Sequence, residues 1–248
     1  MKNNFHTPFP IINAVVEGQQ DGKIYNLPDC TLIMHKCGFA YCKPLAEVVD
    51  YSKLVEFLLR QNELPQYFHV YDAPSQLCAA FKAQETKFNI KVRSRLQLKF
   101  PLVKQPIARF PLPAGYTSVQ ITTNNINALA TLNLKIEDKF WRSGEDVIKH
   151  GFGYAVFASS GEAASVCYTA SIVDNIAEID VATLPAYLQK GLAKVAVGEF
   201  LKHCINNQIT ASWDCFEDNI GSLRTAESLG FEKVNAYNFL SIYKIFSS

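Results

Sequence analysis

Hydrophobic residues in the C-terminal half of the chain recur with two periods, which predict a series of helices and strands. Apolar positions three and four residues apart favour a helix, and strict alternation favours a half-buried strand. Helices are expected at Ile126–Leu134, between the capping residue Ser143 and Gly151, at Leu192–Ile205 and at Asn219–Leu229. Strands are expected at Tyr154–Ser159, Ala163–Ile172, Ile176–Leu184, Ile209–Cys215 and Lys233–Ile245. This order combines an antiparallel meander with a β-α-β unit.

The N-terminal half shows the same two periods. Strands are predicted at Ile11–Val16, Cys30–His35, Tyr67–Tyr71 and Lys91–Phe100, and helices at Ser52–Gln61 and Ser75–Ala83. In the last of these strands a polar row alternates with apolar residues. The row consists of Arg93, Arg95, Gln97 and Lys99. We interpret it as a solvated sheet face, with contact to phosphates as the alternative.

A proline cluster separates the two halves. Pro101, Pro106, Pro111 and Pro113 interrupt both periods and indicate a linker. We therefore predict an N-terminal α/β domain over residues 1–110 and a second domain over residues 111–248. The predicted fold class is α/β (α+β), with a mixed central sheet and flanking helices.

Composition and charge exclude several classes of function. The chain has 248 residues, of which 48% are hydrophobic, and its formal net charge is +1. These values are ordinary for a globular protein, so we expect neither a nucleic acid nor a membrane as partner. No apolar run is long enough to span a bilayer, and the first residues make a poor signal peptide. We therefore expect a cytoplasmic protein.

The metal-binding and nucleophilic residue types show no pattern of a site. Seven cysteines and five histidines are scattered along the chain without the spacing of a zinc site. We interpret the cysteines as buried, reduced thiols. The sequence therefore predicts no metal and no nucleophilic cysteine.

The helix that begins near Leu192 has the features of an anion site. Gly191 and Ala193 are small residues at its start, and Lys190 and Lys194 add positive charge. Unpaired N–H groups at a helix N-terminus attract anions, so a diphosphate could bind there. The alternative is a tight strand-to-helix turn in which the glycine serves packing alone.

Two motifs resemble the GNAT superfamily of N-acetyltransferases. "IDVATLPAYLQKGLAK" looks like the acetyl-CoA motif, in which a strand diverges from its neighbour before a pyrophosphate loop. "NIGSLRTAESLGF" looks like the second motif of the superfamily. Together with "FWRSGEDVIKHGFGYAVF", "EIDVATLP" and "SWDCFEDN", they resemble a subfamily that carries an extra N-terminal domain. The resemblance is strong over residues 116–248 and weak before them, and it implies the GNAT fold.

The resemblance implies a set of cofactor-binding residues. The backbone of Ala182 and Thr183 would hold the pantetheine arm of acetyl-CoA, and Asn219 and Ser222 would line its other side. The diphosphate would lie against the backbone of the loop and helix start, which comprise Gln189, Lys190, Gly191, Leu192, Ala193 and Lys194. Leu188 departs from the family, which usually has Arg or Gln in that place.

Candidate catalytic residues lie on the predicted strand Ile176–Leu184 and in the last strand, where a tyrosine could replace one that the family has and this chain lacks. Glu178 and Asp180 share one face of their strand, where a carboxylate could remove the proton of an acceptor amine. The alternative is that one of them caps a turn or pairs with a lysine. The family's proton-donating tyrosine is replaced here by Ala226. Tyr237 and Tyr243 are candidate substitutes, with core aromatic residues as the alternative interpretation.

The expected function is direct transfer of an acetyl group from acetyl-CoA to an amine of a small molecule or peptide. Leu188 and Ala226 keep a second hypothesis open, a CoA-binding sensor or scaffold without transfer activity. A third hypothesis is an interaction protein in which the glycine turn is structural. The sequence names neither the acceptor nor the oligomeric state, and the role of the N-terminal domain in shaping the acceptor site is a hypothesis.

Overall fold

One mixed sheet of eleven strands forms the centre of the described structure. The computed structural model describes residues 6–61, 64–102, 110–132 and 139–245. The strands are β1 (Gly22–Asn26), β2 (Cys30–His35), β3 (Phe39–Pro44), β4 (Tyr67–Tyr71), β5 (Phe88–Lys99), β6 (Tyr116–Gln120), β7 (Gly153–Ala158), β8 (Ala163–Val173), β9 (Ile176–Thr183), β10 (Thr210–Phe216) and β11 (Glu232–Lys244). Their spatial order is β1-β2-β3-β4-β11-β5-β10-β9-β8-β7-β6.

Helices flank this sheet. The α-helices whose bounds lie in the described ranges are α1 (Pro10–Val16), α2 (Tyr51–Leu59), α3 (Ser75–Lys82), α4 (Gly144–His150), α5 (Leu192–Asn206) and α6 (Ile220–Ser228). Two short 3-10 segments cover Ile126–Leu132 and Pro185–Tyr187. The predicted fold class, a mixed sheet with flanking helices, is confirmed.

The sheet continues through both halves of the chain. β5 precedes the proline cluster in sequence, yet it pairs antiparallel with both β10 and β11 from the second half. β4 likewise pairs with β11. Two strand pairs are parallel, β3 with β4 and β9 with β10. The division into domains at residues 110 and 111 stays a prediction, and Pro106 lies outside the described residues.

Hydrophobic cores fill both faces of the sheet. On one face α5 and α6 cover β5, β9 and β10, with Phe200 and Leu201 fully buried. On the opposite face Ile11 and Ile12 of α1 pack with Trp141 and Phe239. A third core lies between α2, α3 and strands β2 to β4. Each large apolar side chain buried in this way stabilises the fold by roughly 1.5–3 kcal/mol.

The predicted strand at Ile11–Val16 is wrong, because this segment forms helix α1. Pro10 occupies the first turn, where its fixed φ suits a helix start and its missing N–H costs nothing. A short apolar run of this kind has no period that separates a buried helix from a buried strand. The unpredicted strands are β1, β3 and β6, and the segment predicted as a helix from Ile126 is a 3-10 segment as far as it is described.

The polar row on β5 is not a solvated face along its whole length. Arg95 and Gln97 are largely buried, because α1 and the segment before it lie on that side of the sheet. Gln97 donates a hydrogen bond to the carbonyl of Pro8 at 2.9 Å. The expectation of a solvated row is therefore wrong at these two positions, since the opposite side of the sheet carries its own core.

Candidate active site

The parallel strands β9 and β10 pair only at their beginnings and then separate. Their paired residues are Ile176 with Thr210, Ala177 with Ala211 and Glu178 with Ser212. Both strands are described in full, and beyond Glu178 no further pair joins them. The gap between them contains a cleft of about 210 Å³ whose lining includes Asp180 and Asp214. A backbone edge of β9 is thereby left available to a ligand.

The N-terminus of α5 borders a second, larger cleft. Gly191 is the N-cap with φ of 76°, a left-handed conformation that glycine adopts without strain, and no side chain caps the helix. The first intrahelical bond runs from the N–H of Val195 to the carbonyl of Gly191, at 3.2 Å. The preceding amide groups are therefore available as donors to an anion.

The larger cleft brings together most of the predicted cofactor-binding residues. It has a volume of about 750 Å³. Its lining includes Ala182, Thr183, Gln189, Gly191, Leu192, Ala193, Lys194, Asn219 and Ser222, together with Leu188. Lys190 is outside this lining, and its Nζ donates to the hydroxyl of Tyr116 at 3.3 Å. The roles of these residues toward a ligand stay predictions.

The start of α6 forms the opposite wall of the larger cleft. The side chain of Asn219 caps the helix by accepting a hydrogen bond from the N–H of Ser222 at 3.1 Å. The indole Nε1–H of Trp213 donates to Ser222 Oγ at 3.0 Å. Trp213, Asn219 and Ser222 line both clefts, as does Val181, so the clefts meet at these residues.

Glu178 is buried at the point where the strands separate. Its side chain accepts a hydrogen bond from the N–H of Ile11 in α1 at 3.1 Å. Burial is the main cause that raises the pKa of Glu178 to about 7, and the nearby Asp214 adds to the rise. Ser171 and Ser212 lie opposite Glu178 on the neighbouring strands, and their buried hydroxyls bond to no other described residue. Such groups are positions where ordered water binds.

Asp180 is already paired with a lysine. Its Oδ2 lies 2.7 Å from Lys139 Nζ, and it accepts a hydrogen bond from the hydroxyl of Tyr168 at 2.9 Å. The alternative interpretation from the sequence, a carboxylate paired with a lysine, therefore describes Asp180. Asp180 also lines the gap between β9 and β10, so its ion pair with Lys139 does not remove it from the candidate site.

The structure separates the two candidate tyrosines. The Tyr237 hydroxyl donates to Asp214 Oδ1 at 2.5 Å, and burial raises its pKa strongly. Tyr243 is 42% exposed and stacks on Tyr67, with 4.3 Å between ring centroids. It lies six residues beyond Tyr237 on β11, which corresponds to about 20 Å. Tyr243 is thus apart from the gap, whereas Tyr237 reaches it through Asp214.

Asp214 and Arg95 are site residues that the sequence interpretation missed. Arg95 Nε lies 3.0 Å from Asp214 Oδ1, and a second guanidinium nitrogen donates to the Asp214 carbonyl. Burial raises the pKa of Asp214 to about 6, against the opposing effect of Arg95. In the sequence the only signal was a polar pair, Ser212 and Asp214, with the same spacing as Glu178 and Asp180. The strand register pairs Glu178 with Ser212, so the carboxylates of Asp180 and Asp214 face each other across the gap.

Other kinds of site are not seen in the described ranges. No three His, Cys, Asp or Glu side chains there are grouped so that they could hold a metal ion. None of the described helices is both long and apolar enough to cross a membrane. The seven cysteines are free thiols, five of them buried.

The fold and the two clefts define an α/β protein in which a helix N-terminus without a side-chain cap borders a cleft that meets the gap between two parallel strands. Residues 53–240, or 188 of the 248 residues, match the sequence model described as GNAT acetyltransferase. The chain therefore belongs to the GNAT acetyltransferase family, which is a family of acyltransferases. The resemblance inferred from the two motifs is confirmed.

Individual relatives agree with this assignment. The chain is 32% identical over 126 residues to YdfB of Bacillus subtilis (strain 168), described as an uncharacterized N-acetyltransferase. That alignment covers 51% of this chain and 48% of the relative, so it spans about half of each protein.

Solved structures share the fold over nearly the whole chain. A GCN5-related N-acetyltransferase-like protein from Streptococcus suis 89/1591 superposes with a TM-score of 0.68 at 19% identity, covering 96% of this chain and 94% of that one. A GCN5-related N-acetyltransferase from Kribbella flavida gives 0.66 at 14% identity, covering 96% and 95%. At these identities the likeness shows the fold.

Proposed function

We propose that this protein is an acetyl-CoA-dependent N-acetyltransferase that transfers the acetyl group directly to an amine of a small molecule or peptide. One observation carries the proposal: the cleft at the N-terminus of α5 joins the gap between β9 and β10, where carboxylates lie. An extended thioester that is anionic at one end and reactive at the other fits such a pair of clefts. Membership of the GNAT family supports the same chemistry.

The residues of the larger cleft fit acetyl-CoA. The amides of Gly191–Lys194 and the helix dipole favour a diphosphate, and Gln189 and Lys194 line the cleft beside them. An added Cβ at Gly191 would meet no atom within 4 Å, so a ligand has room to approach the backbone there. The unpaired edge at Ala182 and Thr183 and the opposite residues Asn219 and Ser222 would hold the pantetheine arm.

Glu178 is the group that we assign as base. A carboxyl with a pKa of about 7 exchanges protons near neutral pH, whereas Asp180 and Asp214 are each occupied by a cation and a tyrosine. Glu178 lies behind the gap, so ordered water beside Ser171 and Ser212 would carry the proton to it. In the reaction, the amine nitrogen bonds to the acetyl carbon, the C–S bond breaks with its electron pair going to sulfur, and the nitrogen loses a proton to Glu178.

The carboxylates at the gap can hold a neutral acceptor amine by hydrogen bonding. Asp180 and Asp214 are each paired with a cation, so their remaining oxygen lone pairs rather than a net charge would accept the N–H groups of the amine. Tyr237 holds Asp214 in place, and its raised pKa makes it a poor proton donor. We place the reaction in the cytoplasm, because a reducing compartment keeps the free thiols reduced.

Binding and transfer test the proposal separately. Calorimetry with acetyl-CoA should detect binding to the wild type, and Gly191→Glu should abolish it by filling the diphosphate space with a like charge. Gly191→Ala is the matched control, because it has the same left-handed strain without the charge. No heat and no thermal stabilisation at millimolar acetyl-CoA would contradict the proposal.

Consumption of the thioester in the presence of an amine panel then tests transfer. Binding without transfer to any amine would favour the alternative, a CoA-binding sensor or scaffold. Glu178→Gln should slow transfer about a hundredfold if it removes the base, while CoA affinity changes little.

A further inference from the structure

We infer that Ser222 donates the hydrogen bond that stabilises the CoA sulfur as the acetyl group leaves, and that Trp213 positions Ser222 for this role. The inference rests on the proposed function, and it assigns a residue to the step for which the chain lacks the family's tyrosine. The observations that support it are the position of Ser222 and the direction of its hydrogen bonds.

Ser222 lies where the two clefts meet. A ligand with its diphosphate at α5 and its acetyl carbon between β9 and β10 must pass this junction. The sulfur is bonded to the acetyl carbon, so it lies at the inner end of the arm, next to Ser222 and Trp213. Val181 and Asn219 complete the junction and offer no hydroxyl.

The hydrogen bonds of Ser222 leave its own proton available to a charged acceptor. Ser222 Oγ accepts from Trp213 Nε1 at 3.0 Å, and its backbone N–H is taken by Asn219 Oδ1. An indole N–H is only a donor, so the serine hydroxyl must donate elsewhere. The Cys215 thiol is a weak acceptor for this proton, and its contact with Ser222 opposes the rise that burial causes in the thiol pKa. A charged CoA thiolate is a stronger acceptor and would take the proton in its place.

Position 226, where the family has its tyrosine, offers no proton donor in this chain. Ala226 is fully buried in the core beneath α6 and carries no hydroxyl. Ser222 lies one turn earlier on the same helix and lines both clefts. Ser222 is therefore the residue of α6 whose hydroxyl faces the junction.

The chemical step keeps Ser222 protonated. The electron pair of the C–S bond moves to sulfur, and the resulting thiolate accepts a hydrogen bond from Ser222 Oγ–H. Ser222 also lies in the first turn of the nine-residue helix α6, whose positive end favours the same charge. The thiolate then leaves or takes a proton from water, while the amine proton goes to Glu178.

The decisive measurement is the thiol pKa of bound CoA, followed by thiolate absorbance in the binary complex. We expect this pKa to be about one unit higher in Ser222→Ala than in the wild type, because a hydrogen bond to a charged group is lost. Ser222→Thr retains a hydroxyl and should restore the lower value. The other charged or ionisable groups that line the gap are unchanged in all of these variants, and they are Asp180, Asp214, Arg95 and Cys215.

Kinetics provide the second readout. With an acceptor from the amine panel, Ser222→Ala should lower kcat about tenfold and change the KM for acetyl-CoA less than about threefold. Ser228→Ala is the matched control, since Ser228 is exposed at the other end of α6 and bonds only to the carbonyl of Thr225 among the described residues. Trp213→Phe should raise the thiol pKa in the same direction as Ser222→Ala.

The outcomes separate this inference from the proposed function. An equal thiol pKa in the wild type and Ser222→Ala, with CoA bound to both, would overturn the role of Ser222 and leave the proposed function intact. Absence of CoA binding to the wild type would overturn both. A raised pKa in Ser222→Ala without transfer by the wild type would support the sulfur contact and contradict only the transfer activity.

Discussion

Leu188 is the residue at which this chain departs from its family at the diphosphate loop. It is 55% exposed and lines the larger cleft, so it is not a packing residue of the core. The backbone amides at the start of α5 remain available whatever the side chain at 188. We infer that the loop would bind an anion through its backbone amides, and that a positive charge at position 188 would strengthen this binding.

Leu188→Arg should therefore tighten CoA binding. A partly exposed charge-assisted contact contributes on the order of 1 kcal/mol, or several-fold in affinity. The gain should shrink as salt increases, because the contact is screened. Leu45→Arg adds the same charge at an equally exposed leucine outside the cleft, and calorimetry should find its affinity unchanged. A lower melting temperature without any gain in affinity would contradict the placement of Leu188.

The buried carboxyl of Glu178 should make stability depend on pH. Because its pKa is raised to about 7, the folded protein retains a proton that the unfolded chain releases above its ordinary value of 4.5. The unfolding free energy therefore decreases as pH rises from about 4.5 to 7.

Glu178→Gln should remove that loss of stability. Relative to the wild type it should gain on the order of 2 kcal/mol between pH 5 and pH 8, measured by urea unfolding. Gln can still accept the hydrogen bond from Ile11, so the contact with α1 is preserved. The exposed Glu217→Gln serves as the control. A difference between wild type and Glu178→Gln that stays constant with pH would contradict this account.

At the scale of elements, β5 connects the site to the rest of the sheet through two ion pairs of different kinds. Arg95 pairs with Asp214, and their side chains are only 11% and 5% exposed. Arg93 pairs with Asp218, whose side chain is 71% exposed. The same strand thus holds one buried pair next to the gap and one pair open to solvent.

Asp214→Asn should destabilise the protein by about 3 kcal/mol or more at pH 8, because it leaves the Arg95 charge buried without a counterion. Asp218→Asn is the matched control and should cost less than about 1 kcal/mol. Chemical denaturation of both variants measures the difference. Similar losses in the two variants would show that Arg95 is compensated by other groups.

At the scale of the whole molecule, residues from both halves of the chain build the core beneath the site. Leu96, Leu98 and Phe100 from β5 pack in the same cluster as Phe200 and Leu201 of α5. β10 and β11 have β5 as their common neighbour. The core beneath the two clefts therefore depends on a strand that comes from before the proline cluster.

A fragment of residues 111–248 should consequently fail to fold and to bind CoA when expressed alone. Co-expression with residues 1–110 should restore both, because the missing strand would return. Circular dichroism and calorimetry measure folding and binding. A fragment that unfolds cooperatively and binds CoA by itself would instead establish the predicted domain boundary as a boundary of independent folding.

The sequence by itself determined the features that depend on local contacts. The periods of two and 3.6 identified β2, β4, α5 and most strands of the second half, because neighbouring residues on one face share the same environment. The left-handed conformation of Gly191 is also local, so the glycine turn at the start of α5 could be predicted, whereas anion binding there stays a prediction. The resemblance to the family was inferred from motifs in these segments, and the match over residues 53–240 confirmed it.

Only the tertiary structure decided the features that depend on distant partners. The apolar run at Ile11–Val16 became a helix that donates to Glu178, a residue 167 positions away. Arg95 and Asp214 are 119 residues apart, and neither looks different in sequence from a solvated residue. Burial, pKa and the direction of a hydroxyl such as Ser222 are set by what surrounds a side chain. Periodicity along the chain carries no information about those surroundings, because they come from other strands.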